Sequence, residues 1–522
     1  MDGAAEDDNG PFGRKRGDAM FVPRKNLLSY ISMVRNAALL TDLYELTMMQ
    51  GYFRYGMHHH AVFDMFFRRQ PFGGGFSVFA GLDVLLETLQ EMRFTGEDIE
   101  YLRGLGLFDE EFLAYLREFR FSGEVWSVPE GTLVFPQEPL LRVHTTILEA
   151  QLIESLLLNT INFQTLVATK TARIYLASEG GSIAEFGLRR AQGVDGALSA
   201  SRAAFIGGAS STSNTLAGKR YGIPVTGTMA HSWVMAFGSE LESFERYAEL
   251  YPDKAILLID TFETLGSGIE HAVTVGKELQ RNGKRLGVRL DSGDIQYLSK
   301  QVRRRLDEEG LTDAVIAVSN ELDEQIIHQL VSAHSPIDLW GVGTQLVTGG
   351  GDPALTGVYK LAAKERPDGS FMPTMKVSDN PEKSTNPGVK QVWRYYGTGD
   401  YPIADLIALD GDPPPGGSDT SSGDRPPVRF YHPSGDYRMF TLENWARREP
   451  LLRKQMESGR IIGARPTLDE IRSRTLHNLT CLDETYTRII NPHIYKVSVS
   501  KPLRNLKREF LARHLADEED GE

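Results

Sequence analysis

The chain has 522 residues, which at roughly 100–200 residues per domain implies two to four domains. Its apolar fraction of 41% and charged fraction of 24% exclude a disordered, fibrous or membrane-spanning class. The 57 Lys+Arg against 70 Asp+Glu give a net charge of −13, a field that repels phosphate backbones and argues against nucleic acid as a partner. The single cysteine, Cys481, excludes an intramolecular disulfide framework and any cysteine-based zinc site.

The first 24 residues are polar, mixed in charge and without a hydrophobic stretch of signal-peptide type, so a disordered tail is expected there. No apolar run approaches the ~18 residues of a membrane span, and a cytoplasmic protein is expected. Leu40–Phe53 carries apolar side chains at helical spacing, with Thr41 or Asp42 as N-cap. Phe63–Phe67 and Glu124–Val128 read as strands, and Thr146–Leu176 as one long helix or a close pair. Short apolar runs then recur at Ser182–Phe186, Ala203–Gly207, Pro224–Met229, Ala255–Asp260, Arg285–Asp291, Ala314–Ser319, Ile337–Gly343 and Gly357–Leu361. Between most of them lie amphipathic stretches such as Glu240–Leu250, Gly268–Asn282, Asp294–Glu309 and Glu321–His334. That alternation predicts a parallel sheet, and about eight strands in so short a stretch predict a compact (β/α) barrel, with an open doubly wound sheet as the rival.

The expected division is a tail over 1–24, an N-terminal α/β domain over 25–150 completed by 426–500, a catalytic barrel over 151–400, a Pro/Gly-rich loop over 401–425, and a C-terminal helix with an acidic tail over 501–522.

Nearly every candidate barrel strand ends in polar or glycine residues that packing alone does not demand, and in such barrels the C-terminal strand ends build the active site. Gly341–Gly351 (GVGTQLVTGGG) offers backbone N–H groups to a phosphate, or is a flexible glycine turn. Arg289, Asp291 and Asp294 lie at one strand end; the acids suit Mg²⁺ or sugar hydroxyls, or simply cap the next helix. His231 falls between a strand and a helix start, where a phosphate on its imidazole would be stabilised; the alternative is a structural hydrogen-bonder. Arg189 and Arg190 suit two-point binding of carboxylate or phosphate, or are a solvated surface pair. His58–His60 diverge as neighbours and are read as structural. There is no GxxxxGK[ST] phosphate loop and no complete G-x-G-x-x-G after a strand.

With these residues in hand, the chain closely resembles nicotinate phosphoribosyltransferases. The matching segments include LLTDLYELTMMQGY (39–52), FFRRQPFGGGF (66–76), LVATKTAR (166–173), EFGLRRAQG (185–193), SSTSNTLAG (210–218), PVTGTMAHSWV (224–234), GVRLDSGD (287–294), GVGTQLVT (341–348) and MKVSDNPEKSTNPG (375–388). The resemblance implies an irregular (β/α) barrel with a second α/β domain formed from the N-terminal region and a returning C-terminal segment. It implies joining of nicotinate to phosphoribosyl diphosphate (PRPP), coupled to ATP hydrolysis through a phosphohistidine at His231. It further implies that Tyr44, Thr228, Arg289 and Arg189 contact nicotinate, and that Gly343, Thr344, Arg190 and Ser213 bind the phosphoribosyl part. Glu185, Asp260 and Asp291 are the carboxylates expected to stabilise the ribose as pyrophosphate departs. Mg²⁺ and a homodimer with shared active sites are implied too, so the Tyr44 helix is expected to serve the neighbouring subunit. The competing readings are a nicotinamide phosphoribosyltransferase and a catalytically silent nucleotide-binding relative.

Overall fold

A computed structural model describes residues 37–377, 384–413, 415–417, 425–433 and 438–519. The tail expected over 1–24 lies outside the described residues, as does 378–383 within the MKVSDNPEKSTNPG motif.

Three large sheets organise the chain. The first is antiparallel and seven-stranded, in the order 371–373, 357–365, 60–67, 141–146, 124–127, 453–457 and 460–461. Strand His60–Phe67 is buried along nearly its whole length because the strands 357–365 and 141–146 flank it and Phe63 stacks on Tyr359 at 4.8 Å. The second sheet is parallel and six-stranded, ordered 211–212, 182–185, 339–342, 315–318, 287–290 and 256–258. Its strands read as near-continuous apolar runs because both faces are covered. The third sheet, ordered 439–442, 428–431, 496–499, 402–409, 390–396 and 447–450, belongs to the C-terminal part. Together these make a mixed α/β architecture with a central parallel sheet.

The long apolar-periodic stretch is a pair of helices, Ile147–Leu152 and Glu154–Ala177. The second is buried although it carries many threonines, because their hydroxyls find partners. Thr169 donates to the Thr165 carbonyl at 2.6 Å and accepts from the Val78 N–H at 2.9 Å, while Thr171 donates to the Val167 carbonyl. Helix Leu43–Arg54 starts after Asp42, and Glu240–Leu250, Ile269–Arg281, Ile295–Glu308 and Glu324–Ser332 cover the expected amphipathic stretches. Among the described residues no helix is long and apolar enough to cross a membrane.

Four expectations are corrected. Ala203–Gly207 is no strand: it ends helix Gly193–Ile206, since a short apolar run on a helix buried nearly all round looks the same as a buried strand. Pro224–Met229 makes only an isolated bridge, Thr212 to Val225. Gly357–Leu361 pairs antiparallel with 60–67 in the N-terminal sheet. Six parallel strands therefore stand where eight were expected. Finally, the loop expected from 401 contains strand Pro402–Leu409, whose short apolar run PIADLIAL was masked by its Pro- and Gly-rich neighbours; with 390–396 it belongs to the C-terminal sheet.

A buried ion pair ties the parts together. Arg202, on helix Gly193–Ile206, donates to Glu130 through two nitrogens at 2.6 and 2.8 Å, and Glu130 also accepts from the Gly81 N–H. Both side chains are almost wholly buried. Burial alone would raise the Glu130 carboxyl, but the Arg202 guanidinium and the backbone donors hold it below its ordinary range. Removing one partner of a buried pair strands the other charge, so Glu130→Gln should cost about 3 kcal/mol in urea unfolding at neutral pH. Because the folded-state value is lowered, that contribution is full above the ordinary carboxylate value of 4.5 and fades as pH falls through the lowered one. The gap between wild type and variant should therefore close in acid; a gap constant from pH 7 to 3 would contradict the pairing.

Candidate active site

Parallel strands end on the same edge, and that edge collects most of the polar residues singled out in the sequence. The register places Glu185 beside Thr212 and Val342, Val318 beside Leu290, and Leu258 beside Arg289. Glu185, Gly343–Thr344, Ser319, Asp291 and Asp260 thus all follow or close the C-terminal ends of neighbouring strands.

Arg289 is the centre of this edge. It is the one side chain of strand Gly287–Leu290 that is not fully buried. Its Nε donates to Ser319 Oγ at 2.8 Å, one terminal nitrogen to Thr228 Oγ1 at 2.9 Å, and the other to Asp291 Oδ1 at 2.7 Å. A longer bond, 3.4 Å, reaches the Met229 carbonyl, and the guanidinium lies 5.8 Å from the Phe186 ring centroid. Ser319 also donates to Asp291 Oδ1. Of the five guanidinium N–H groups, these bonds leave one on the Asp291-facing nitrogen for a ligand. The side chain remains 14% exposed.

His231 opens a five-residue helix, His231–Met235. Its Nδ1 meets Thr261 Oγ1 at 3.1 Å, and its Nε2 stands 3.9 Å from Asp291 Oδ2. The ring is 40% exposed, so Nε2 is accessible beside a carboxylate. Asp260 Oδ2 accepts from the Asp291 N–H at 2.8 Å and from Ser292 Oγ at 2.7 Å, which holds the 291–293 turn in place. Asp260 Oδ1 is buried and has no hydrogen-bond partner. Asp294 is a cap: its carboxylate accepts from the Tyr297 N–H at 3.0 Å.

The remaining candidates sit around this core. Glu185 is 1% exposed and already accepts from the Gly187 N–H, Ser201 Oγ and Thr212 Oγ1, so its charge is spent on shaping the 185–190 loop. Arg189 and Arg190 are exposed on that loop. Ser213 is half-buried, and its N–H donates to the Glu185 carbonyl at 2.9 Å. Gly343 precedes the short helix Thr344–Val347, and glycine is required nearby for close approach: a Cβ on Gly341 would sit 2.7 Å from the Phe186 ring. Tyr44 stands apart from the Arg289 group, on the N-terminal helix Leu43–Arg54, and is 47% exposed. Partial burial and then the Glu154 charge push its phenol well above the usual range. The amino-acid pattern assigned no role to Thr261, Phe186 or Ser319; Thr261 directly follows Asp260 and Ser319 directly follows strand Val315–Val318, so the strand-end rule was the available signal.

No group of three or more metal-ligating side chains occurs among the described residues. Magnesium, however, is commonly held by one or two carboxylates plus substrate phosphates. Asp260, with its buried unpartnered oxygen, and Asp291 beside it fit that requirement.

Comparisons with known proteins agree along most of the chain. The nicotinate phosphoribosyltransferase N-terminal domain matches residues 39–162, the nicotinate phosphoribosyltransferase family matches 182–361, and the corresponding C-terminal domain matches 389–507. The chain is 42% identical to nicotinate phosphoribosyltransferase of Bacillus subtilis, over 91% of this chain and 95% of that protein. It is 36% identical to nicotinate phosphoribosyltransferase of Caenorhabditis elegans, over 89% and 92%. The crystal structure of human nicotinic acid phosphoribosyltransferase superposes with a TM-score of 0.76 at 31% identity, covering 90% of this chain and all of that one. Nicotinate-nucleotide pyrophosphorylase from Pyrococcus furiosus, at 21% identity and a TM-score of 0.64, shares the fold. Fold and strand-end site together define an enzyme of the phosphoribosyl-transferring class. Within that class, the chain belongs to the nicotinate phosphoribosyltransferase family, as its motifs imply.

Asp260→Ala should leave the Asp291 N–H unpaired, at about 1–3 kcal/mol, and displace the Asp291 turn. Asp260→Asn keeps an oxygen acceptor for that N–H and should recover most of the stability. If the carboxylate serves metal as well as backbone, the Asn variant should still need far more Mg²⁺ for half-maximal turnover; an unchanged Mg²⁺ dependence would confine Asp260 to a structural role.

Proposed function

We propose that the chain joins nicotinate to PRPP, giving nicotinate mononucleotide and pyrophosphate in NAD synthesis, and that ATP hydrolysis through His231 drives the step. The observation that carries the reading is Arg289, a partly exposed cation at the strand-end edge that bonds Thr228 and shares Asp291 with His231. The anionic carboxylate of nicotinate matches a guanidinium N–H, and the Thr228 hydroxyl adds a second polar contact.

The chemistry asks little proton transfer of the protein. The pyridine nitrogen of nicotinate uses its lone pair to form the bond to ribose C1, while the C1–O bond breaks and pyrophosphate leaves with that electron pair. Positive charge builds on the sugar as the leaving group departs, and the Asp260 and Asp291 carboxylates at that edge would stabilise it. Mg²⁺ held by those two carboxylates would supply neutralising charge for the pyrophosphate. Gly343, Thr344, Ser213 and Arg190 form the phosphoribosyl-binding group, and Arg189 flanks nicotinate. Holding two reactants in line is worth roughly 7–11 kcal/mol, so positioning carries most of the rate.

In the coupling step, His231 Nε2 attacks the γ-phosphorus of ATP and ADP departs with the bridging oxygen. The exposed Nε2 and the Thr261 contact at Nδ1 support that role. The protein works in the cytoplasm as a homodimer with shared sites. Leu43, Tyr44 and Met48 are all exposed on the N-terminal helix, which supports its insertion beside a partner's site.

Turnover measured with nicotinate and with nicotinamide decides the substrate; preference for the amide would overturn the reading. Arg289→Ala should raise the KM for nicotinate at least tenfold, as expected for loss of a charged hydrogen bond. His231→Ala should abolish ATP stimulation and ADP release while leaving some PRPP-dependent product. Full ATP stimulation in that variant would remove the phosphohistidine from the mechanism.

A further inference from the structure

Beside the His231 segment is a second recess, and Arg289 is not among its lining residues. A cavity of about 480 Å³ is walled by Val234, Phe237, Glu240, Phe262, Ser267 and His271 among others. That volume is in the range of small-molecule sites. Val234 lies one helical turn beyond His231, and Phe262 directly follows Thr261, whose hydroxyl meets His231 Nδ1. The same two segments therefore form one wall of the cavity and hold the imidazole.

The polar side of the cavity is a carboxylate–histidine pair that the proposed reaction does not use. Glu240 is 5% exposed, and its Oε2 accepts from His271 Nδ1 at 2.9 Å. A carboxylate can only accept, so Nδ1 donates in that bond and Nε2 is the ring nitrogen left to meet a ligand. The second Glu240 oxygen is buried without a partner. Among the described residues no lysine or arginine lines the cavity to balance an anion. Phe262 is 64% exposed and offers a face for stacking, with Phe237 and Val234 as apolar walls.

We infer that this cavity is a separate binding site for an uncharged planar aza-aromatic ring bearing an N–H donor, such as a pyridine carboxamide. Its electrostatics are the reverse of those at Arg289: there a cation suits the acid, and here the buried Glu240 carboxylate, with an oxygen that has no partner, suits the amide and repels the acid. A ring seated in the cavity packs against the segment that carries His231. The inference does not depend on the ATP-coupled reading.

Nicotinamide is the probe, titrated calorimetrically into the full chain with nicotinate saturating. One equivalent should bind under these conditions. Binding should survive Arg289→Ala, and weaken about fivefold or more in His271→Leu, the size expected for one hydrogen bond. Phe262→Ala, at an exposed position with little to lose in folding, should weaken it as well. Failure of nicotinamide to bind in the presence of nicotinate would overturn the site, as would equal affinity in wild type and both cavity variants. Loss of binding in Arg289→Ala alone would assign the ring to the substrate site instead. Loss of nicotinate turnover in the cavity variants with nicotinamide binding intact would also count against it.

Discussion

The Arg289 guanidinium is the interaction on which the edge of the parallel sheet depends. It ties its own strand end, through Asp291, to two segments distant in the chain: Thr228 and Ser319 each take a bond from it. A planar group with donors pointing in fixed directions holds those side chains in one arrangement more stiffly than a lysine would. Asp291 then stands between Arg289 and His231, so the cation that suits a substrate carboxylate and the imidazole that suits a phosphoryl group share one anion.

Behind that edge, buried charges keep the layers in register. Arg202 and Glu130 join the helix after the EFGLRR loop to the N-terminal part, while Arg394 pairs with Asp405 within the C-terminal sheet and also donates to the Leu133 carbonyl. Lys170 and Arg173 share Glu324 beneath the glycine loops. Each such pair is costly to desolvate and costly to break, so it contributes definition of geometry more than net stability. The loops that carry the functional groups rest on these fixed points, and close packing of Gly341 on Phe186 couples the 185–190 and 341–347 loops directly.

Much of the site is legible in the amino-acid sequence because strand ends in a parallel sheet leave a local mark: an apolar run that stops in polar residues. That mark locates Asp260, Asp291 and the Gly343–Thr344 turn; Thr228 and His231 follow a similar apolar run that makes only an isolated bridge. It misleads where an apolar run belongs to a buried helix, as at Ala203–Gly207, and where a real strand, Pro402–Leu409, lies among residues that break structure. Glu185 looks like a free carboxylate from its position; only its three donors, from Gly187, Ser201 and Thr212, reveal that it is committed internally.

By itself the sequence determined the alternation of strands and helices, the residue types at each strand end and the family, because local periodicity and short motifs are properties of contiguous residues. The tertiary structure decided which strands are neighbours, which carboxylates remain available, and that Glu240 and His271 meet across a cavity. Those are contacts between residues distant in the chain, set by packing and hydrogen-bond geometry, and no local pattern encodes them.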